Sequence, residues 1–154
     1  MLPMKHAGHS LIESLLVLAL LSTIALFAVM GQQQQSERAR VQTSLSGLAS
    51  LSAMARQLAI IQGHEVEIQP IATGWAIPGH HQVASEHARW AGFRRPPIRF
   101  YPSGASDNGT WIVCAPPFLE PRGLVLSRTG RTRRTQDRNR DGRDEMANGR
   151  PIEC

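Results

Sequence analysis

Between Arg122 and Arg143 the chain places eight arginines against Asp137 and Asp141, a net charge of +6 over 22 residues. A guanidinium is planar and holds a phosphate through two parallel N–H donors, so this density is suited to gripping a polyanion rather than to making or breaking bonds. Side chains alternate along a strand, which puts Arg131 and Arg133 on one face and Thr132 and Arg134 on the other. Arg128 can join the first pair across a turn at Thr129-Gly130. The segment offers no helix for a groove and no aromatic platform, so its guanidiniums would follow phosphates without reading bases. Neutralising about four phosphates would make affinity fall roughly a hundredfold between about 50 and 200 mM salt. The same arginines could instead form a solvated face, pair with Asp137, Asp141, Asp144 and Glu145, or meet acidic surfaces on partner proteins.

Asp137-Arg138-Asn139-Arg140-Asp141-Gly142 matches the first half of an EF-hand loop, with oxygen ligands at alternate positions and glycine at the sharp turn. The second half departs from the pattern. The twelfth loop position is Asn148 rather than a bidentate glutamate, and the neighbouring arginines oppose a cation, so Asp144 or Glu145 would have to substitute. Asp137, Asn139 and Asp141 therefore stand as a calcium candidate, and no other cofactor is expected. His80, His81 and His87, with Glu86, lack a metal-ligand spacing and lie in a stretch that reads as loop. No Ser-His-Asp or Cys-His arrangement, phosphate loop or paired carboxylates stand in a convincing setting, so the sequence predicts no enzyme.

The elements that must position these arginines begin far upstream. Met1 to Gly8 is a short segment carrying Lys5 and His6, followed by His9-Ser10-Leu11-Ile12-Glu13 and an uncharged run from Ser14 to Met30. A secretory signal would carry its charge in the same place, but its apolar core would hold no carboxylate and would end in a small-x-small cleavage site. With Leu11 and Ile12 included, the apolar run is long enough for a single membrane span. An acidic side chain at that depth costs on the order of 2.5–3.5 kcal/mol, so Glu13 needs a partner. Beyond Gly31 the chain turns polar yet keeps apolar residues at helical spacing through Val41, Leu45, Leu48, Leu51, Ala55 and Leu58, with Gly63 as the stop. One helix from 9 to 62 would be about 80 Å long. Gly31 and Gly47 are candidate soft points, each weakening a helix by about 1 kcal/mol relative to alanine.

After Gly63 short extended runs alternate with turns. Strands are predicted at Glu65 to Gln69, Trp75 to Ile77, Ile98 to Tyr101, Trp111 to Ala115, Leu124 to Ser127 and Arg131 to Arg134. Pro70, Gly74, Pro78-Gly79, Pro96-Pro97, Asn108-Gly109 and Pro116-Pro117 punctuate them. Trp75, Trp90, Phe93, Phe100, Tyr101 and Trp111 read as core or surface packing. The fold class is α+β: one long N-terminal helix, its N-terminal half transmembrane, packed on a small antiparallel β-sheet domain.

Gly8-His9-Ser10-Leu11-Ile12-Glu13-Ser14-Leu15-Leu16-Val17 resembles the prepilin signature, a glycine, a cleavage point and a glutamate at the fifth mature position. The resemblance implies the pilin fold, cleavage after Gly8 by a prepilin peptidase, methylation at His9, and pairing of Glu13 with a neighbouring subunit's N-terminal amine during filament assembly. His9 departs from the phenylalanine usual at that position. The implied organisation is a leader over 1–8, a transmembrane half-helix over 9–31, a periplasmic half-helix over 32–62 and a C-terminal β domain over 63–154. The implied location is the bacterial inner membrane, single pass, with the C-terminal domain periplasmic and the chain built into a pilus or pseudopilus. Cys114 and Cys154 would then share an oxidising compartment, and one disulfide between them is expected, contributing about 4 kcal/mol by restricting the unfolded chain.

Further stretches are similar to the FimT/GspH group of minor pilins and pseudopilins: Ala55-Arg56, Ala59-Ile60 and Val66, then Ile98 to Gly104 and Asn108 to Cys114, then Leu126 to Arg133. Gly130-Arg131-Thr132-Arg133 resembles a Gly-Arg-x-Arg element that FimT-type members use to bind DNA in natural transformation. The resemblance thus implies a minor type IV pilin that binds double-stranded DNA without sequence preference through Arg128, Arg131, Arg133 and Arg134. The alternative it leaves open is a GspH-like minor pseudopilin with a structural role in the type II secretion pseudopilus. In both cases the partners are other pilins or pseudopilins, the prepilin peptidase and the inner membrane.

Overall fold

A computed structural model describes residues 11–85, 87–114, 119–138, 140, 143–146 and 148–154. The chain falls into two compact units, one ending at Ser36 and one running from Glu37 to Cys154. Helix α1 spans Leu11–Gln62.

In the first unit Ile12, Leu15, Leu16, Val17, Leu18, Leu20, Leu21 and Ile24 are all exposed. Four consecutive members of that set, Leu15 to Leu18, sweep nearly the whole circumference of a helix, so the surface is apolar all round, as a lipid-facing helix requires. The hydroxyls of Ser22 and Thr23 donate to the carbonyls of Ala19 and Leu20, both at 2.8 Å, which hides their polarity within the helix. By length and composition Gln35–Gln62 is also apolar enough to cross a bilayer. Its apolar stripe, however, is buried against β-structure through Leu45, Leu48, Leu51, Ala55 and Ala59. That makes it a core helix, and Ile12–Ile24 is a shorter apolar helix whose described side chains stay exposed.

In the second unit α1 ends as its sequence dictates. Gly63 adopts φ +70° and its N–H donates to Ala59 O at 3.1 Å, a left-handed cap for which glycine carries no Cβ penalty. Eight strands follow: β1 Val66–Ile71, β2 Gly74–Ile77, β3 His81–Ala84, β4 Ala88–Gly92, β5 Ile98–Phe100, β6 Gly109–Val113, β7 Arg122–Leu126 and β8 Thr132–Arg134. They make two antiparallel four-stranded sheets, ordered β3-β2-β1-β5 and β4-β6-β7-β8, rather than one. The expected α+β class is the class found. The helix stripe meets Val66, Ile68, Trp75, Ile77, Ile98, Phe100, Trp111, Val113, Leu124 and Leu126 in a single core. Burying this apolar area supplies the main driving force for the unit. Trp75 joins the sheets: its indole donates to Ala88 O at 3.3 Å and meets Trp111 edge-on at 6.1 Å.

The strands β3 and β4 were not expected from sequence. His81-Gln82-Val83-Ala84 and Ala88-Arg89-Trp90-Ala91-Gly92 carry few β-branched residues and lie at sheet edges, where their strand state depends on pairing with β2 and β6. His81 is accordingly a strand residue and not a loop histidine. Gly47 has a packing role on the helix, since a Cβ there would meet Val83 Cγ1 at 2.6 Å. The disulfide Cys114–Cys154 is formed as expected. It fastens a C-terminal segment whose Ile152 is buried beside Gly123, so the second face of β6 and β7 is covered too.

Candidate nucleic-acid interface

The arginine segment is a hairpin fixed by its backbone. β7 is anchored by Leu124 and Leu126 in the core, and β8 pairs with it through Leu124↔Arg134, Val125↔Arg133 and Leu126↔Thr132. Between them Ser127 N donates to Arg131 O at 3.0 Å, and Gly130 N donates to Ser127 O at 2.9 Å. The Ser127 hydroxyl also donates to Arg131 O at 3.0 Å. Gly130 is buried with φ +70°, and a Cβ there would run into the carbonyl of Gly104 and the Arg56 side chain. Arg56 Nε donates to that same carbonyl at 3.0 Å. Ser106 completes the clamp, its N–H donating to Arg128 O and its hydroxyl to Ser127 O, both at 2.9 Å. With the turn held this tightly, Arg128 and Arg131 have their side chains left in solvent.

The four arginines expected to act together divide between two faces. Arg133 lies opposite Val125, and with Arg128 and Arg150 it lines a groove of about 590 Å³ on the outer side of the sheet. No carboxylate lines that groove among the described residues. Arg134 lies opposite Leu124 on the helix side, where its Nη1 donates to Gln42 Oε1 at 3.1 Å. β8 begins only at Thr132, so Arg131 belongs to the turn and not to the strand. Arg150 lies outside the dense arginine run, and no feature of the sequence marks it for the groove.

Pairing with acids accounts for some of the basic residues. Arg122 Nη1 sits 2.9 Å from Asp144 Oδ1, and Thr135 Oγ1 donates to Asp144 Oδ2 at 2.7 Å. Asp144 is only 5% exposed, so its charge is answered within the fold and it is not available as a substitute calcium ligand. Asn139 and Asp141 lie outside the described residues. Asp137 Oδ1 accepts the Arg140 N–H at 2.7 Å. Among the described residues no group of three or more His, Cys, Asp or Glu side chains is placed to hold a metal. Arg128, Arg131 and Arg133 take part in no ion pair among the described residues.

Phe93 departs most from expectation. It is 94% exposed, so it serves no core, and it lines the outer groove alongside Arg128. Glu13 is an exposed helix residue in the first unit. Gly8 and His9 lie outside the described residues.

The family model for type II transport protein GspH matches residues 44–130, more than half the chain. No curated protein matches it. Two crystal structures of the Pseudomonas aeruginosa (strain PAO1) type IV minor pilin FimU are similar in shape. The P21 form has a TM-score of 0.47 at 17% identity and covers 66% of this chain and 92% of its own. The P65 form has a TM-score of 0.44 at 19% identity, with 62% and 92% covered. Through the match over its helix end, β1 to β7 and the turn as far as Gly130, the chain belongs to the GspH family of type II transport proteins.

Proposed function

We propose that this GspH-family chain is a minor type IV pilin of FimT type, anchored in the inner membrane and binding DNA without sequence preference during uptake. The observation that carries the reading is the outer groove, where Arg128, Arg133 and Arg150 converge on a clamped hairpin with no carboxylate among its described lining. Guanidiniums on a fixed backbone lose less freedom on gripping phosphate than the same groups on a loose loop, and the absence of acids leaves their field uncancelled. Arg131 extends the row from the turn, and Arg134 contributes from the other face. In this reading residues 1–8 are a leader cleaved after Gly8, His9 becomes the methylated N-terminus, 9–31 cross the membrane, and 32–154 lie in the periplasm. Glu13 is neutralised by a neighbouring pilin's terminal amine, which supplies the partner that an acid in lipid needs.

The test is a mobility shift on duplex DNA with the full chain in non-ionic detergent, comparing wild type with the double variant Arg131→Gln, Arg133→Gln. Expected is binding at low salt that falls with a log–log slope of about −3.6, and a slope shallower by about 2 in the double variant. Equal shifts by both proteins would refute the assignment. The second reading is a GspH-like minor pseudopilin that contacts other pseudopilins in a type II secretion filament. Family membership favours it, as does the Arg122–Asp144 pair, which shows that basic residues of this segment also serve the fold. A deletion strain with normal transformation and impaired secretion would choose it.

A further inference from the structure

Phe93 presents an aromatic ring almost wholly to solvent, 94% exposed against 37% for Ile71 in β1, and this exposure is built into the fold. It sits just after β4, where the Trp90 indole folds back along its own strand. Trp90 packs on Trp111 at 4.8 Å, and a Cβ on either Gly92 or Gly109 would collide with its ring. Gly92 and Gly109 face each other in the β4–β6 register, so the two missing side chains make the bed in which the indole lies. Trp90 Nε1 then donates to Arg94 O at 2.9 Å, pinning the segment on the far side of Phe93. The phenyl ring is therefore held outward between two fixed points.

Its surroundings are basic on both sides. Phe93 and Arg128 line the outer groove together with Arg133, Arg150, Asn108 and Asn148. The same pair lines an adjoining groove of about 320 Å³ that continues past Arg94 and Tyr101. The one acid there, Asp107, is 3.9 Å from Arg94 Nε and also accepts the Arg99 N–H at 3.1 Å, so it is already engaged. A ring face flanked by guanidiniums and amides poorly matches an apolar protein partner, which would have to strip water from several arginines to reach one phenyl. It matches an unpaired nucleotide well, because the base supplies a face for the ring while its phosphates meet the arginines. In an intact duplex the bases are stacked on one another and offer the ring nothing.

We infer that Phe93 is a base-stacking platform and that this surface takes single-stranded nucleic acid, or the frayed end of a duplex, in preference to continuous double helix. The inference rests on the DNA-binding reading above and narrows its substrate class. The test uses the full chain in non-ionic detergent with a dye-labelled oligo-dT and a duplex of equal length, read by fluorescence anisotropy at low salt. A second oligo-dT carrying a central 2-aminopurine is read by its emission. Wild type is expected to prefer the single strand and to quench 2-aminopurine. Phe93→Ala should weaken single-strand binding on the order of tenfold, as loss of one stacked base does, change duplex binding less than about twofold, and abolish the quenching. Phe93→Trp should restore all three properties. Phe93→Leu, which keeps apolar bulk without a ring face, should behave as alanine does. Single-strand binding unchanged in Phe93→Ala, or equal losses on both substrates, overturns the platform while leaving DNA binding intact. Rescue by leucine also overturns it, since that outcome assigns the residue to apolar docking of a protein. If wild type binds neither oligonucleotide, the DNA-binding reading itself fails.

Discussion

Gly130 and Gly63 share a backbone dihedral, φ +70°, yet occupy opposite environments, and replacing each with alanine separates two costs that usually arrive together. A left-handed residue with a Cβ costs about 1–2 kcal/mol from its own sterics. At Gly63 nothing lies within 4 Å of the new methyl group, so Gly63→Ala should lose that amount and no more. At Gly130 the methyl meets the Gly104 carbonyl, with Arg56 Cδ 2.8 Å away. Either neighbour must retreat, and the 3.0 Å bond from Arg56 Nε to Gly104 O goes with it. Loss of a hydrogen bond to a charged donor adds about 1.5–3 kcal/mol, so Gly130→Ala should cost about 2.5–5 kcal/mol. The assay is thermal unfolding followed by tryptophan fluorescence, because Trp75, Trp90 and Trp111 all pack within the sheet unit and the helix contributes none. At about 4 °C per kcal/mol the two variants should melt roughly 6–12 °C apart. Equal melting temperatures would refute the clamp, because the shared dihedral would then explain everything. The same Gly130→Ala protein should also bind DNA more weakly, since the displaced turn carries Arg128 and Arg131.

Replacing Cys114 and Cys154 with serine should cost about 4 kcal/mol, as expected for opening a link with a sequence separation of 40, and reducing agent should destabilise wild type but not the double serine variant. Gly47→Ala gains about 1 kcal/mol of helix propensity but overpacks Val83, at a cost of about 1–3 kcal/mol. It should therefore be neutral to destabilising, and in a Val83→Ala background it should become stabilising; a double-mutant cycle with no coupling energy would contradict the contact. Arg122→Gln leaves the buried Asp144 carboxylate with the Thr135 hydroxyl and should cost about 1–3 kcal/mol by urea denaturation. Adding Asp144→Asn to that variant should recover part of the loss, and no recovery would argue that the pair is incidental.

Local pattern is sufficient for features whose cause is local. The helix over the second unit follows from apolar residues every third or fourth position, and its end follows from a glycine that can turn left-handed, so both are legible in the sequence. The arginine hairpin was legible for the same reason, with Gly130 at its turn, and the disulfide because Cys114 has one other cysteine with which to pair. β3 and β4 were not, since His81 to Ala84 and Ala88 to Gly92 become strands only when β2 and β6 supply their hydrogen bonds.

The sequence alone determined that this chain has an apolar run bearing one acid, an α+β layout behind it and a dense positive charge near its end, because composition and spacing decide those properties. Tertiary structure decided which charges act together. It turned Arg134 toward the helix, tied Arg122 to a buried carboxylate and brought Arg128, Arg133 and Arg150 to one groove. It also placed an aromatic ring there from a loop some thirty-five residues before Arg128 in the chain. The physical reason is that strand register and sheet order join residues distant in sequence, and no local periodicity records which face of which partner they will share.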